Sequence, residues 1–426
     1  MLDLRKIREH PDAFRTGLRR RGLDPAAIDA VLEADRRRRG ALAEIERLRA
    51  DQNRLSAEIP KLQGQAREAR IAETRALAER IRALEPAVAQ VEAELDALVR
   101  ALPNQPDDSV PDGRDASDNV IVRTWGTPPA FAFPPLDHVD LGVRLDLLDF
   151  ERGARASGSR FYYLKGDGVL LEMALVRLAL DLLRDEGFIL LSTPVLVRSG
   201  VITGAWGGTA LDAQQTYKIE GEDLALIGTS EQSVAAYHME ETLDAAALPL
   251  RYAGLSYCFR REAGSYGRDI RGLYRVHQFY KVEMFSFAHP DRSAEEHEFL
   301  VGLEERFVRA LGLPHRVALL CAGDLGLAMT KTYDVETWMP GRGGYGETHS
   351  CSNAGDFQAR RLGIRFRVGA KGATEFVHTL NGTLVATSRA LIAVLENGQQ
   401  ADGSVRLPEA LVPYMGGRTE LRASRA

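Results

Sequence analysis

Apolar positions along this chain keep one period at its start and another towards its end. From about residue 24 to 102 they recur every three or four residues. Ile45, Leu48, Leu55, Ile59 and Leu62 share one register, with Gln52 as a polar interruption. Leu77, Ile81, Leu84, Val88, Val91, Leu95, Leu98 and Leu102 keep a second register without exception. Two heptad helices turning near 60–65 predict an antiparallel coiled-coil hairpin. At about 1.5 Å per residue, a helix of roughly 33 residues makes an arm of about 50 Å, too long to lie inside a globular domain, so it should project. Pro86 falls inside the second run; the register continues across it, which predicts a kink and not a break. Ahead of the arm, residues 1–22 read as one short amphipathic helix with Leu4, Ile7 and Phe14 on one side.

Residues 103–119 hold three prolines and five aspartates and read as a linker. The division is then 1–102, a helical domain; 103–119, a linker; and 120–426, a second domain. After a lead-in over 136–166, residues 169–186 are apolar at helical spacing, and 188–197 reads as a strand with Pro194 inside. Short strands are expected at 215–219 and 224–227, helices at 234–243 and 297–312, and a strand over 376–386 running into a helix. Over 275–287 the period becomes two, with β-branched and aromatic residues, which predicts a strand. Residues 251–259 supply its antiparallel partner. Gly264, Gly267 and Gly272 between them suggest a long mobile loop.

Composition narrows the options. A chain of 426 residues suggests two or three domains. With 45% hydrophobic and 27% charged residues it reads as soluble and globular. The net charge of −5 gives no global basic field, so any nucleic-acid binding has to come from a local patch. Cys258, Cys321 and Cys351 are far apart, which argues for a reducing compartment and against a cysteine-rich zinc site. No apolar run approaches the roughly 18 residues of a membrane span. The acidic residues at the N-terminus make a poor signal or transit peptide, so a cytoplasmic location is expected. The arm is rich in arginine, including Arg47, Arg54 and Arg75, mixed with Glu and Asp. Such a surface is ordinarily a solvated coiled coil with i,i+4 pairs, but a projecting basic face can also track a phosphate backbone.

Several residues suggest chemistry. Arg260 and Glu262 stand where the first hairpin strand gives way to the loop. Phe279 and Glu283 share one strand face, because residues four apart point the same way. Together they offer a cation for phosphate, a ring for a base and a carboxylate for an amine or hydroxyl. Thr229-Ser230-Glu231 reads equally as a helix N-cap with a first-turn acid. Glu347 and Ser350 pair a carboxylate with a hydroxyl, a hard-ligand set suited to Mg²⁺. Gly341, Gly343 and Gly346 satisfy G-x-G-x-x-G, but no βαβ unit surrounds them, so the stretch reads as a turn delivering Glu347. His349 and Cys351 lack the ligand set zinc would need, and packing explains both better.

The stretch FRREAGSYGRD…GLYRVHQFYKVE resembles motif 2 of the class II aminoacyl-tRNA synthetases and, among them, the seryl-tRNA synthetases. The helix and Pro-containing strand over 169–197 look like motif 1. Thr229 and Glu231 match the family's T-x-E loop, ETHSCSN its E-x-x-S segment, and NGTLVATSR its motif 3. The last departs from the frequent NGSGLAxGR by Thr383 in place of serine and by two lost glycines. PEALVPYMGG is similar to the family's end, and no HIGH- or KMSKS-like element of class I is present. The resemblance covers residue 1 to about 417.

It implies an α+β fold: a class II antiparallel β-sheet flanked by helices, preceded by an all-α domain with the long arm. It implies serine activation with ATP, then transfer to tRNA(Ser), with the selenocysteine tRNA as a second candidate. ATP would meet Arg260, Arg261, Glu262, Phe279, Glu347, Thr348, His349, Ser350 and Arg389, with Arg260 and Arg389 catalytic. Serine would meet Thr229, Ser230, Glu231, Glu283 and Thr383. Glu347 and Ser350 would hold Mg²⁺ with ATP, Arg47, Arg54 and Arg75 would contact tRNA, and the protein would be a homodimer. Two alternatives use the same sequence: a seryl-activating paralogue serving a biosynthetic pathway or carrier protein, and an inactive coiled-coil interaction protein.

Overall fold

The structure, a computed structural model, describes residues 1–207, 214–263, 271–369 and 372–423. The expected mobile loop falls largely on 264–270, outside the described residues. The chain divides into two compact units, Leu2–Pro103 and Asn104–Ala426.

The first unit is all helical. Residues 1–22 form two helices and not one, Leu4–Glu9 and Pro11–Arg20. Proline at position 11 lacks the amide a continuing helix needs and pushes His10 out of helical geometry, to φ −134°. Ile7, Phe14 and Leu18 are buried, so the apolar face survives the break. The arm follows as Ala26–Glu58 and Gly64–Ala101, joined through a short turn at Ile59–Lys61. Heptad residues Ile45, Leu48, Leu55, Ile81, Val88 and Leu95 are buried between the helices. Ion pairs cross the seam: Arg37 to Glu94 at 2.5 Å, Arg38 to Glu92 at 3.0 Å, Arg49 to Glu85 at 3.1 Å and Arg80 to Glu44 at 2.7 Å. The second helix runs unbroken through Pro86. Pro86 is exposed, so the Arg82 carbonyl it leaves without a helical donor can turn to water.

The second unit is built on an eight-stranded sheet: β1 Val120–Trp125, β2 Ile189–Ser192, β3 Leu250–Phe259, β4 Gln278–Ala288, β5 His315–Leu319, β6 Lys331–Met339, β7 Gly344–Gly355 and β8 His378–Ala386. Its order is β1-β5-β6-β7-β8-β4-β3-β2. Every neighbouring pair is antiparallel except β2 and β3. Helices Asp167–Asp185, Ser293–Ala310 and Thr387–Gly398 bury one sheet face, where Leu171, Val282, Met284, Phe307, Leu384 and Leu391 share a single core. The central strands give their other face to a cleft.

Besides residues 1–22, four stretches differ from the sequence reading. Residues 188–197 split: β2 ends at Ser192, and Leu196–Val197 pairs instead with Ala225–Leu226. Pro194 lies between, where it has no ladder amide to offer. Over 215–219 only Lys218 bridges, to Ala225. The helix expected at 234–243 is Ser230–Ala235; Glu240 takes a left-handed φ of 64°, and Thr242–Asp244 is a strand alongside Arg365–Arg367. The 103–119 stretch is bound to the second unit along its length. Asn104 donates from its backbone to the Leu327 carbonyl at 2.8 Å, and from its side chain to those of Ala328 and Ala354. Further on, Val110 is buried against Leu320 and Ala322.

Candidate active site

Strand alternation builds the floor of the cleft. On β4, Val282 and Met284 are wholly buried in the core, so Phe279, Lys281 and Glu283 face the opposite side. They line a cavity of about 740 Å³. β8 pairs with β4 and sets Thr383 opposite Glu283. The Thr383 hydroxyl donates to Glu283 Oε2 at 3.0 Å, and Lys281 Nζ makes a close ion pair with the same oxygen. Lys281 and Glu283 are 4% and 2% exposed, so this is a desolvated pair. Behind it, Gly382 is needed for space. A Cβ there would come within 3.0 Å of Met284 Cε and Glu304 Oε1.

A second carboxylate stands beside the first. Helix Ser230–Ala235 starts at Thr229, whose side chain accepts from the Glu231 amide at 3.2 Å. That cap turns Glu231 into the cavity, where Gln358 Nε2 donates to its Oε1 at 2.7 Å and Trp206 Nε1 to its Oε2 at 3.3 Å. Asn381 Nδ2 also reaches Oε1, at 3.3 Å. Burial and the facing Glu283 raise the Glu231 carboxyl to about 7, against the lowering pull of Lys281. Gly228 fits against Trp206, whose ring would lie 2.4 Å from a Cβ at that position.

Cations gather further along. Arg260 donates through Nε to the Gly228 carbonyl at 3.0 Å, with its guanidinium 5.5 Å from the Phe279 ring centroid. Arg389, on the first turn after β8, donates to Glu347 Oε1 at 2.7 Å and lies 4.8 Å from the centre of Tyr274. Burial would lower the Arg389 guanidinium, but Glu347 more than offsets it and the pKa is raised. For Glu347, burial acts upward, and Arg389, Arg260 and Arg275 together hold it below the usual range. Glu262 has a left-handed φ of 48° and pairs with Arg275 at 3.2 Å. A non-glycine residue held in that region is a strained position of the kind found at ligand clamps.

Thr229, Glu231, Arg260, Glu262, Phe279, Glu283, Glu347, Thr348, Ser350, Thr383 and Arg389 thus meet around one cavity. Three expected residues do not line it. Ser230 is buried and donates to the Gly254 carbonyl at 2.9 Å. Arg261 is exposed, and its backbone N–H donates to the Gln215 carbonyl. His349 lies just past the register shift that lets both Glu347 and Thr348 reach the cavity, and from there it alternates with Ser350 and points the other way, 6.1 Å from the Phe307 ring. Burial lowers its imidazole to about 3, which fits a packed neutral ring. The arm residues belong to the other unit. There Arg54 pairs with Asp51 and Arg75 with Glu79, while Arg47 makes no ion pair among the described residues.

Sequence reasoning missed Trp206, Lys281 and Asn381. Lys281 carried a signal: it has the same parity as Phe279 and Glu283 on a strand that is mostly apolar. Trp206 and Asn381 carried none that a single sequence shows.

Among the described residues, no group of three or more His, Cys, Asp or Glu could hold a metal unaided. Glu347 and Ser350 fit a hard cation that takes most of its ligands from phosphate and water.

Two family models match the chain. Residues 1–106 match the seryl-tRNA synthetase N-terminal domain, and 216–398 match the tRNA synthetase class II core domain (G, H, P, S and T). The serine–tRNA ligases of Dictyoglomus turgidum and Rubrobacter xylanophilus are each 48% identical to it, over 98% of both chains. The crystal structure of seryl-tRNA synthetase from Pyrococcus horikoshii complexed with ATP superposes with a TM-score of 0.95, at 41% identity, covering 100% of each chain.

Proposed function

The chain belongs to the seryl-tRNA synthetase family, and from that premise we propose how its residues divide the work of charging tRNA with serine. It is a serine–tRNA ligase of the class II fold. One observation carries the assignment of roles: a single cleft holds two buried carboxylates suited to an amino acid at one end and paired arginines suited to polyphosphate at the other.

Serine sits with its hydroxyl on Glu283 and Thr383 and its ammonium on Glu231, with Thr229 alongside. ATP stacks its adenine on Phe279, beside Glu262, and stacking of this kind contributes about 1–3 kcal/mol. A serine carboxylate oxygen attacks the α-phosphorus, and the bond to the bridging oxygen breaks to release pyrophosphate. Two anions have to approach, so the site's contribution is positive charge already in place. Arg260 faces the α-phosphate and Arg389 the outer phosphates. Glu347 and Ser350 would hold Mg²⁺, which when bound neutralises phosphate charge. In the second step a ribose hydroxyl of the terminal adenosine of tRNA attacks the acyl carbon and AMP leaves. No protein nucleophile is required.

The arm is assigned to tRNA(Ser), through contacts mostly to backbone, and the selenocysteine tRNA is a second candidate substrate. Three buried free cysteines suit a cytoplasmic location, and no helix among the described residues is long and apolar enough to cross a membrane. A homodimer is assigned on the exposed apolar residues of Asp167–Asp185 and β2. No observation favours a carrier-protein ligase or an inactive protein. Serine-dependent ATP–pyrophosphate exchange, followed by charging of total tRNA, tests the whole reading; exchange with another amino acid in place of serine would overturn it.

A further inference from the structure

We propose that Lys281 is a specificity-determining positioning residue for serine: it occupies Glu283 Oε2 together with Thr383 and so leaves Oε1 for the substrate hydroxyl.

Lys281 is one of the least expected residues in the cleft, an almost fully buried lysine in the middle of a strand. Among the described residues its one ion-pair partner is Glu283, two residues along on the same face. With Oε2 taking both Nζ and the Thr383 hydroxyl, the Glu283 carboxylate is fixed in orientation. No partner of Oε1 is found among the described residues. A carboxylate fixed in this way reads a hydroxyl, and an amino acid lacking one leaves it unpaired in a desolvated place, where rejection is strong.

The surrounding charges support the same role. Glu231 faces Lys281 from helix Ser230–Ala235, and Glu304 lies behind from Ser293–Ala310; burial and Glu283 raise both carboxyls, and Lys281 pulls against the rise. Cys258, opposite Phe279 on β3, and Arg260 complete the neighbouring titratable groups. Lys281 is therefore the cation that lets two carboxylates stand together, and the incoming serine ammonium adds the second positive charge. This rests on serine activation occurring in this cleft.

The test is Lys281→Met and Lys281→Arg in the full-length protein, read by ATP–pyrophosphate exchange with serine and alanine between pH 6 and 9, with melting curves alongside. In Lys281→Met, serine KM should rise by about tenfold or more while ATP KM stays within about twofold, and the preference for serine over alanine should shrink. The acid limb of kcat/KM for serine should move to higher pH than in the unaltered protein, because Glu231 loses the charge that holds it down. Lys281→Arg should restore much of the loss. If the Met variant does not fold, Lys281→Gln, which keeps a polar end without the charge, takes the same measurements. A serine KM like that of the unaltered protein, a parallel rise in ATP KM, or an unmoved acid limb overturns the proposal. An unaltered protein that fails to exchange with serine overturns the underlying assignment instead.

Discussion

Glu231 and Glu283 face the same cleft, yet their surroundings give them different tasks. Glu283 is held by a lysine and a threonine hydroxyl, whereas Glu231 is held by an amide, an indole and a second amide, all neutral. Replacing Glu283 by Ala strands Lys281 as a buried charge and removes the acceptor for the serine hydroxyl. Losing one partner of a buried pair costs about 3–5 kcal/mol of fold stability, and losing the charged acceptor of the serine hydroxyl, worth about 1.5–3 kcal/mol, should lower kcat/KM for serine by about one to two orders of magnitude. ATP should still bind, as calorimetry with a non-hydrolysable analogue would show; exchange at the serine KM of the unaltered protein would refute the assignment. Glu231 predicts a pH effect. With its carboxyl raised to about 7, it is protonated in the free protein below that pH and ionised above it. The ionised form is the one that receives an ammonium, so kcat/KM for serine should climb as pH rises through about 7 and then level off. A flat profile from pH 5.5 to 8.5 would rule out that role. Most of these residues were legible in the sequence because strand parity and short motifs mark them. Ser230, Arg261 and His349 stand outside the cavity lining, because a motif names neighbours in sequence while neighbouring side chains on a helix turn, a loop or a strand point different ways.

The arm shows how far a periodic element can be read and where reading stops. Heptads state which residues meet, so the hairpin and its buried seam were legible from one sequence. The break at Pro11 was visible in principle, since proline at that place forces the preceding residue out of the helix. The helix at Ser230–Ala235 was placed too late because six residues hold too few turns for a period to show. The base of the arm bears on experiment. Ile28, Val31 and Ala34 are wholly buried, and Asp35 is held by Arg8 at 3.3 Å and Arg39 at 2.9 Å. They belong with the two short helices, so a deletion beginning at residue 28 would expose Ile7 and Leu18. Excising 46–82 and closing with a short Gly-Ser turn spares that base. Serine-dependent exchange should persist near its full rate, since the cavity-lining residues all lie beyond residue 115. Charging of tRNA should drop by about two orders of magnitude or more, and in the full-length protein it should weaken with salt. Among single charge reversals, Arg47→Glu should cost the most. Arg54 and Arg75 already neighbour carboxylates, whereas Arg47 is exposed with no ion pair among the described residues. Charging that survives the excision would show the arm is not the RNA contact.

At the scale of the whole molecule, the β2 edge of the sheet bears on assembly. β2 is short and parallel to β3, its one neighbour among the described residues, and its Ile189 and Leu190 are 51% and 40% exposed. On helix Asp167–Asp185, Val169, Leu170 and Met173 are exposed as well, although the same helix buries Leu171 and Leu175 in the core. A helix apolar on both faces is one that expects cover on both. Exposed apolar residues clustered in this way on a monomer are an aggregation liability, and a second copy of the same surface is the simplest cover under two-fold symmetry. This strand and helix are the ones that resemble motif 1, and the sequence reading could see their apolar character but not which side faces outward. That required knowing which residues the core had already taken. The protein should therefore sediment as a dimer of about 94 kDa, twice the 46.9 kDa of one chain, at micromolar concentration. The interface should exceed about 2,000 Å². Replacing Leu170 and Ile189 by aspartate should shift it to monomer, because a charge in an apolar interface is strongly disfavoured. A monomeric mass for the unaltered protein by light scattering, with no loss of solubility, would mean these residues serve something other than self-association.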